Sequence, residues 1–119
     1  SSGGGMYIAS SSAALTNCVL TGNSAYDSGG GASFGTLNNC TVSGNSVVQH
    51  GGGVYGGTLT NCIVYNNSAG ALGPNYDNSA TLNYCCTTPL PTNGVGLLAF
   101  CQAARLAGLA ITARYSDSV

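Results

Sequence analysis

Charge is what this chain lacks most. Among 119 residues only Asp27, Asp77, Asp117, Arg105 and Arg114 are charged, and there is no Glu or Lys. That is 4%, against about a quarter in an ordinary globular domain. The net charge of −1 provides no basic footprint for nucleic acid and no polybasic patch for a membrane surface. Glycoside hydrolysis needs a carboxylate pair, and a calcium cluster needs several oxygen ligands. Asp27 lies in the first repeat and Asp77 past the third, so nothing in the sequence brings them together. The single His, His50, sits at a predicted corner and reads as solvated, without the neighbours of a Ser-His-Asp set. There is no Trp, and no run of 18 apolar residues that would make a transmembrane helix. The sequence assigns no residue to catalysis, a cofactor or a metal.

What the chain does contain is a repeat. Gly51-Gly52-Gly53, Leu59-Thr60-Asn61-Cys62 and Asn66-Asn67-Ser68 follow one another in its clearest copy. The same order runs through Gly29-Gly30-Gly31, Leu37-Asn38-Asn39-Cys40 and Gly44-Asn45-Ser46. It also runs through Gly3-Gly4-Gly5, Leu15-Thr16-Asn17-Cys18 and Gly22-Asn23-Ser24, and a degraded copy keeps Leu82-Asn83-Tyr84-Cys85. The cysteines recur at intervals of 22, 22 and 23 residues. The first triplet interval is four residues longer than the second, which places an insertion near Ser10–Ala14. A fixed period of this length signals a repeat architecture. One Leu per copy is too few for a leucine-rich repeat. Short β-branched and aromatic runs broken by Gly and Asn fit a parallel β-helix, with rungs of three short strands. The expected fold is an all-β single-stranded solenoid of about four 22-residue coils over residues 1–90.

Stacking then assigns roles. Cys18, Cys40, Cys62 and Cys85 form one inward column, and Leu15, Leu37, Leu59 and Leu82 a second. Leu20, Val42 and Val64 follow their Cys by two and face the same way. Met6, Ala32 and Val54 make a third wall. Asn17, Asn39 and Asn61 stand at tight corners or in an amide ladder, and Asn23, Asn45 and Asn67 provide a second such column. Gly triplets suit sharp corners. Like charges stacked on neighbouring strands destabilise a sheet, which explains the neutral surface.

The cysteine column is expected to be a reduced core ladder. Adjacent rungs bring Cα atoms to about 4.8 Å, within disulfide reach, but parallel Cβ vectors fit the required torsion badly. A linear column does not converge into a tetrahedral zinc site. Cys85 and Cys86 point opposite ways, so only one joins the column. A flat outward Thr ladder, as ice binding would need, is only partial: Thr36 aligns with Thr58, but Asn38 interrupts Thr16 and Thr60. Asn39-Cys40-Thr41 and Asn66-Asn67-Ser68 match the glycosylation pattern, but both fall in predicted ladders.

Residues 70–96 read as a loop, one last strand around Leu82–Thr88, then turns. Residues 97–111, including Leu97, Phe100, Ala104 and Ile111, have rough helical spacing. Residues 91–119 form a loop and tail, either a cap or a non-native continuation.

The unit Gly-Gly-Gly … Leu-Thr-Asn-Cys-x-Val-x-Gly-Asn-Ser-Ala resembles repeats of bacterial right-handed parallel β-helix proteins. It is similar to polymorphic outer-membrane protein repeats, with Cys18, Cys40 and Cys62 in the aromatic slot. It looks closer to large secreted proteins with a C-terminal choice-of-anchor segment, which Asn83-Tyr84-Cys85-Cys86-Thr87-Thr88-Pro89 also resembles. The resemblance covers residues 1–96. It implies right-handed coiling and an extracellular or bacterial cell-surface location. Residues 97–119 lack the Asp-Pro-x-Phe and Ser-Pro-Cys segments of that group. The expected function is structural or adhesive, with polysaccharide or surface glycan as partner. The alternative is a non-catalytic part of a β-helical carbohydrate-active enzyme. The chain starts inside a repeat with no signal peptide, so it reads as a segment of a longer protein. Open solenoid ends imply end-to-end self-association.

Overall fold

The computed structural model describes residues 4–8 and 13–87. Only strands occur as regular elements among them. The first coil carries β1 (Met6–Tyr7), β2 (Ala14–Thr16), β3 (Val19–Thr21) and β4 (Ser24–Ala25). The second carries β5 (Ala32–Ser33), β6 (Thr36–Asn38), β7 (Thr41–Ser43) and β8 (Ser46–Val47). The third carries β9 (Val54–Tyr55), β10 (Thr58–Thr60), β11 (Ile63–Tyr65) and β12 (Ser68–Ala69), and the fourth β13 (Thr81–Asn83) and β14 (Cys86–Thr87). Each strand pairs in parallel with its counterpart one coil away, so the chain is a parallel β-solenoid of about four coils. The predicted helix over 97–111 and the whole of 91–119 lie outside the described residues.

There are four strand ladders, one more than the three strands per rung expected from the sequence. The extra division comes from left-handed backbone at four places in the coil. Gly29, Gly51 and Gly73 turn at φ 60–67°. Gly35 and Gly57 turn at 83° and 82°, preceded by Phe34 at 64° and Gly56 at 69°. Asn17, Asn39, Asn61 and Tyr84 turn at 55–57°. Gly22, Gly44 and Asn66 turn at 60–71°. No strand between such corners exceeds three residues. Asn is among the few non-Gly residues that tolerate this region, which explains its recurrence.

The two asparagine columns separate here. Asn17, Asn39 and Asn61 are exposed corner residues, and only their backbone N–H groups bond the next coil, for example Asn39 to the Thr60 carbonyl at 3.0 Å. The side-chain ladder considered for this column does not form, because the left-handed turn aims these amides outward. Asn23, Asn45 and Asn67 do form a ladder. Asn45 Oδ1 accepts from the Asn23 backbone N–H at 2.9 Å and from Asn23 Nδ2 at 3.1 Å. Asn67 Oδ1 accepts from the same two groups of Asn45 at 2.9 and 3.0 Å. Asn45 Nδ2 also donates to the Leu20 and Ser43 carbonyls at 2.9 and 3.1 Å. Space for this amide comes from Gly31, where a Cβ would lie 3.0 Å from Asn45 Nδ2; the figure for Gly53 and Asn67 Nδ2 is 2.7 Å.

The ladder ends on a residue that the sequence does not mark. Asn75 Oδ1 accepts from Asn67 N–H at 3.1 Å and Nδ2 at 3.0 Å. Residues 70–80, expected to be a loop, instead begin the fourth coil. The backbone N–H groups of Gly51, Gly52, Gly53 and Val54 bond the carbonyls of Leu72, Gly73, Pro74 and Asn75. Gly73-Pro74-Asn75 therefore stands where the earlier coils have a Gly triplet. Asn75 occupies the third glycine position, and its own amide supplies the acceptor that a further ladder Asn would have given.

The core follows the predicted columns. Leu37, Leu59 and Leu82 are buried, as are Cys40, Cys62 and Cys85, Val42 and Val64, and Ala32 and Val54. In the first coil Met6, Leu15, Cys18 and Leu20 are only partly covered. Tyr76 continues the Ala32–Val54 wall, and Thr87 continues the Val64 column. Register places the first-coil insertion between Ile8, which bonds Ser33, and Ala13, which accepts from Thr36. Burying each Leu contributes about 2 kcal/mol.

Asn45→Ala should destabilise the chain by about 2–4 kcal/mol, since it strands several buried groups at once. Asn39→Gly should be near neutral, because only the left-handed backbone matters there. Urea midpoints for the two variants would check both. Equal losses would contradict the division of the columns.

Candidate functional site: a groove between aromatic and threonine columns

The outer face bearing chemistry lies at the Phe34-Gly35 and Gly56-Gly57 corner. On one side stand Tyr7 and Tyr55, whose strand ladder runs Tyr7, Ser33, Tyr55. On the other stand Thr36 and Thr58, paired directly in β6 and β10. Between them the chain turns through left-handed backbone. Phe34 meets Tyr55 edge to face, with ring centroids 5.6 Å apart. Its ring lies over Gly56, where a Cβ would approach Phe34 Cδ1 to 2.7 Å, so glycine is required beneath it. Ile8 fills the space over Gly35 and forms a buried apolar base. The result is an open groove of about 370 Å³ lined by Tyr7, Ile8, Phe34, Thr36 and Thr58. Among the described residues its lining contains no charged side chain. Ser33, fully buried between Tyr7 and Tyr55 in the ladder, has no hydrogen-bond partner for its Oγ.

A second hollow, of about 420 Å³, lies beyond Tyr55 and is lined by His50, Leu72, Pro74, Tyr76 and Asp77. It brings His50 and Asp77 to one surface depression, which their positions in the sequence did not suggest. Asp77 is committed to a turn: its Oδ1 accepts from the Gly56 N–H at 2.8 Å, and the Ser79 hydroxyl and N–H also bond its carboxylate. This Asp-led turn adds the extra residue of the fourth coil. Asp27 stays apart, with Gln49 Nε2 donating to its Oδ1 at 3.3 Å. Burial pushes the Tyr76 hydroxyl above its ordinary range.

The four column cysteines are free thiols. Each is placed to donate its S–H to the carbonyl two residues earlier, at 3.3–3.4 Å. Cys40, Cys62 and Cys85 also reach a carbonyl one coil back: those of Leu15, Leu37 and Leu59, at 3.4–3.7 Å. Burial raises the Cys40 thiol, and the neighbouring Cys62 and Cys18 add to the effect. Contact with Cys85, then burial, holds Cys62 well above the usual thiol range. These thiols are packing groups. Cys86 differs: it lies outside the column and is disulfide-bonded.

The predicted Leu, Cys and Asn23-type columns thus lie inside the solenoid, and the predicted Asn17-type column lies at its corners. Sequence reasoning missed the groove. The one sequence signal for it is Phe34 standing where the next coil has Gly56. Among the described residues no group of three His, Cys, Asp or Glu side chains could hold a metal ion, and no helix is long and apolar enough to cross a membrane. No protein-family model, curated protein or solved structure matches this chain.

The raised pKa values of the Cys40 and Cys62 thiols make stability depend on pH. Below the unfolded thiol pKa, about 8.5, these two thiols are neutral in both states and their contribution is complete. As pH rises past that value the unfolded chain ionises first, and stability is lost. The urea midpoint should therefore fall between pH 7.5 and 9.5, with a smaller fall in Cys40→Ala/Cys62→Ala. An identical fall in that variant would show that the thiols are not responsible. In native protein Cys18 should alkylate first, because it is the column's least covered member.

Proposed function

We propose that the chain is a structural and adhesive segment of a secreted or surface-exposed bacterial protein, with its outer face turned to glycans. The observation that carries this reading is the uncharged groove of aromatic rings and threonine hydroxyls at a solenoid corner. Apolar ring faces and neutral hydrogen-bonding groups match a sugar, which presents both C–H faces and hydroxyls. The repeat's resemblance to surface β-helix proteins supports the surface location. The three buried thiols, Cys40, Cys62 and Cys85, are compatible with that location, since packing shields them from oxidants. The reading proposed for the groove is one of binding and spacing.

Screening the chain against immobilised polysaccharides and host glycans should yield reproducible binding that free sugar competes away. Binding to none of them would leave only the spacer role.

A further inference from the structure

We infer that the groove at the Phe34-Gly35 corner is a binding site for a neutral saccharide, aligned along the solenoid axis with one ring face on Phe34. This rests on the glycan-facing reading above and gives it a location and a ligand class. Three observations point to it. First, Phe34 holds left-handed backbone at φ 64°, where the next coil has Gly56 at 69°. A bulky side chain there costs conformational energy that glycine would avoid. The ring packs on Tyr55 yet leaves Phe34 44% exposed, so much of it faces solvent over the groove. Tyr7, beside the same groove, is 55% exposed.

Second, the groove draws residues from three successive coils: Tyr7 and Ile8, then Phe34 and Thr36, then Thr58. Its length along the axis is therefore about 10 Å, two inter-strand spacings. That accommodates a short stretch of sugar chain better than a single small solute. Thr36 and Thr58 each offer a hydroxyl that both donates and accepts, side by side at the strand spacing. Third, among the described residues no charged side chain lines the groove, so none of them compensates the carboxylate of an acidic sugar or a sulfate ester. Charge complementarity selects an uncharged ligand.

The test uses the whole chain with dextran, mannan and xylan as neutral probes and polygalacturonate and hyaluronan as acidic ones, by calorimetry and affinity electrophoresis. At least one neutral probe should bind, with little dependence on added salt. Phe34→Gly recreates the Gly-Gly corner of the next coil, so the variant should fold with a urea midpoint close to that of the parent. Its binding should fall about tenfold or more, as expected for loss of an aromatic platform. Thr36→Val should weaken binding several-fold, and Tyr26→Ala, outside the groove, should leave it unchanged. If Phe34→Gly and Thr36→Val both bind as the parent does, or if only acidic probes bind, the site is wrong while the glycan-facing reading survives. Absence of binding to every probe would overturn both.

Discussion

The structure depends on each coil turning where the previous one turned. Strands of two or three residues cannot hold a register alone, because each contributes few hydrogen bonds. Left-handed residues at matching positions stop every strand at the same length, so pairing can begin in phase again after each corner. The buried Asn23–Asn45–Asn67 ladder reinforces that phase. A slip by one residue would separate each amide from its acceptor and leave buried polar groups unpaired. The apolar columns stack because the polar ladder and the corners have already set the register.

The same constraint explains how the solenoid tolerates irregularity. Four additional residues enter the first coil between Ile8 and Ala13, and one enters the fourth in the Asp77-led turn. Both lie at the boundary between the Tyr7–Tyr55 ladder and the Thr36–Thr58 ladder. The inward columns on either side are undisturbed. This boundary is also where Phe34 replaces a glycine and the groove opens. Variation collects where it does not disturb the stack.

The thiol column shows why a conspicuous repeat need not be a reactive one. Recurrence of Cys every 22 residues or so could have meant disulfides or metal. Packed in line, each thiol instead uses nearby carbonyls as acceptors, and burial suppresses the ionisation of Cys40. Cysteine here acts as a small apolar residue that also satisfies carbonyls facing the core.

The period in the sequence was enough to determine the solenoid and its inward Leu, Cys and Val columns. Those features repeat along the axis, and a repeat in sequence becomes a neighbour in space once coils stack. Two roles of asparagine were indistinguishable at that level, because corner and ladder residues recur with the same spacing. Only backbone torsions separated Asn39 from Asn45. The fourth coil's start at Gly73-Pro74-Asn75 was also hidden, since two of its three glycines are replaced and Asn75 completes a ladder from a different position in the coil. The groove was decided by tertiary structure alone. It joins residues across a corner, Phe34 to Tyr55 and Tyr7 to Thr36, and lateral proximity of that kind depends on the sharpness of left-handed turns that no sequence period records.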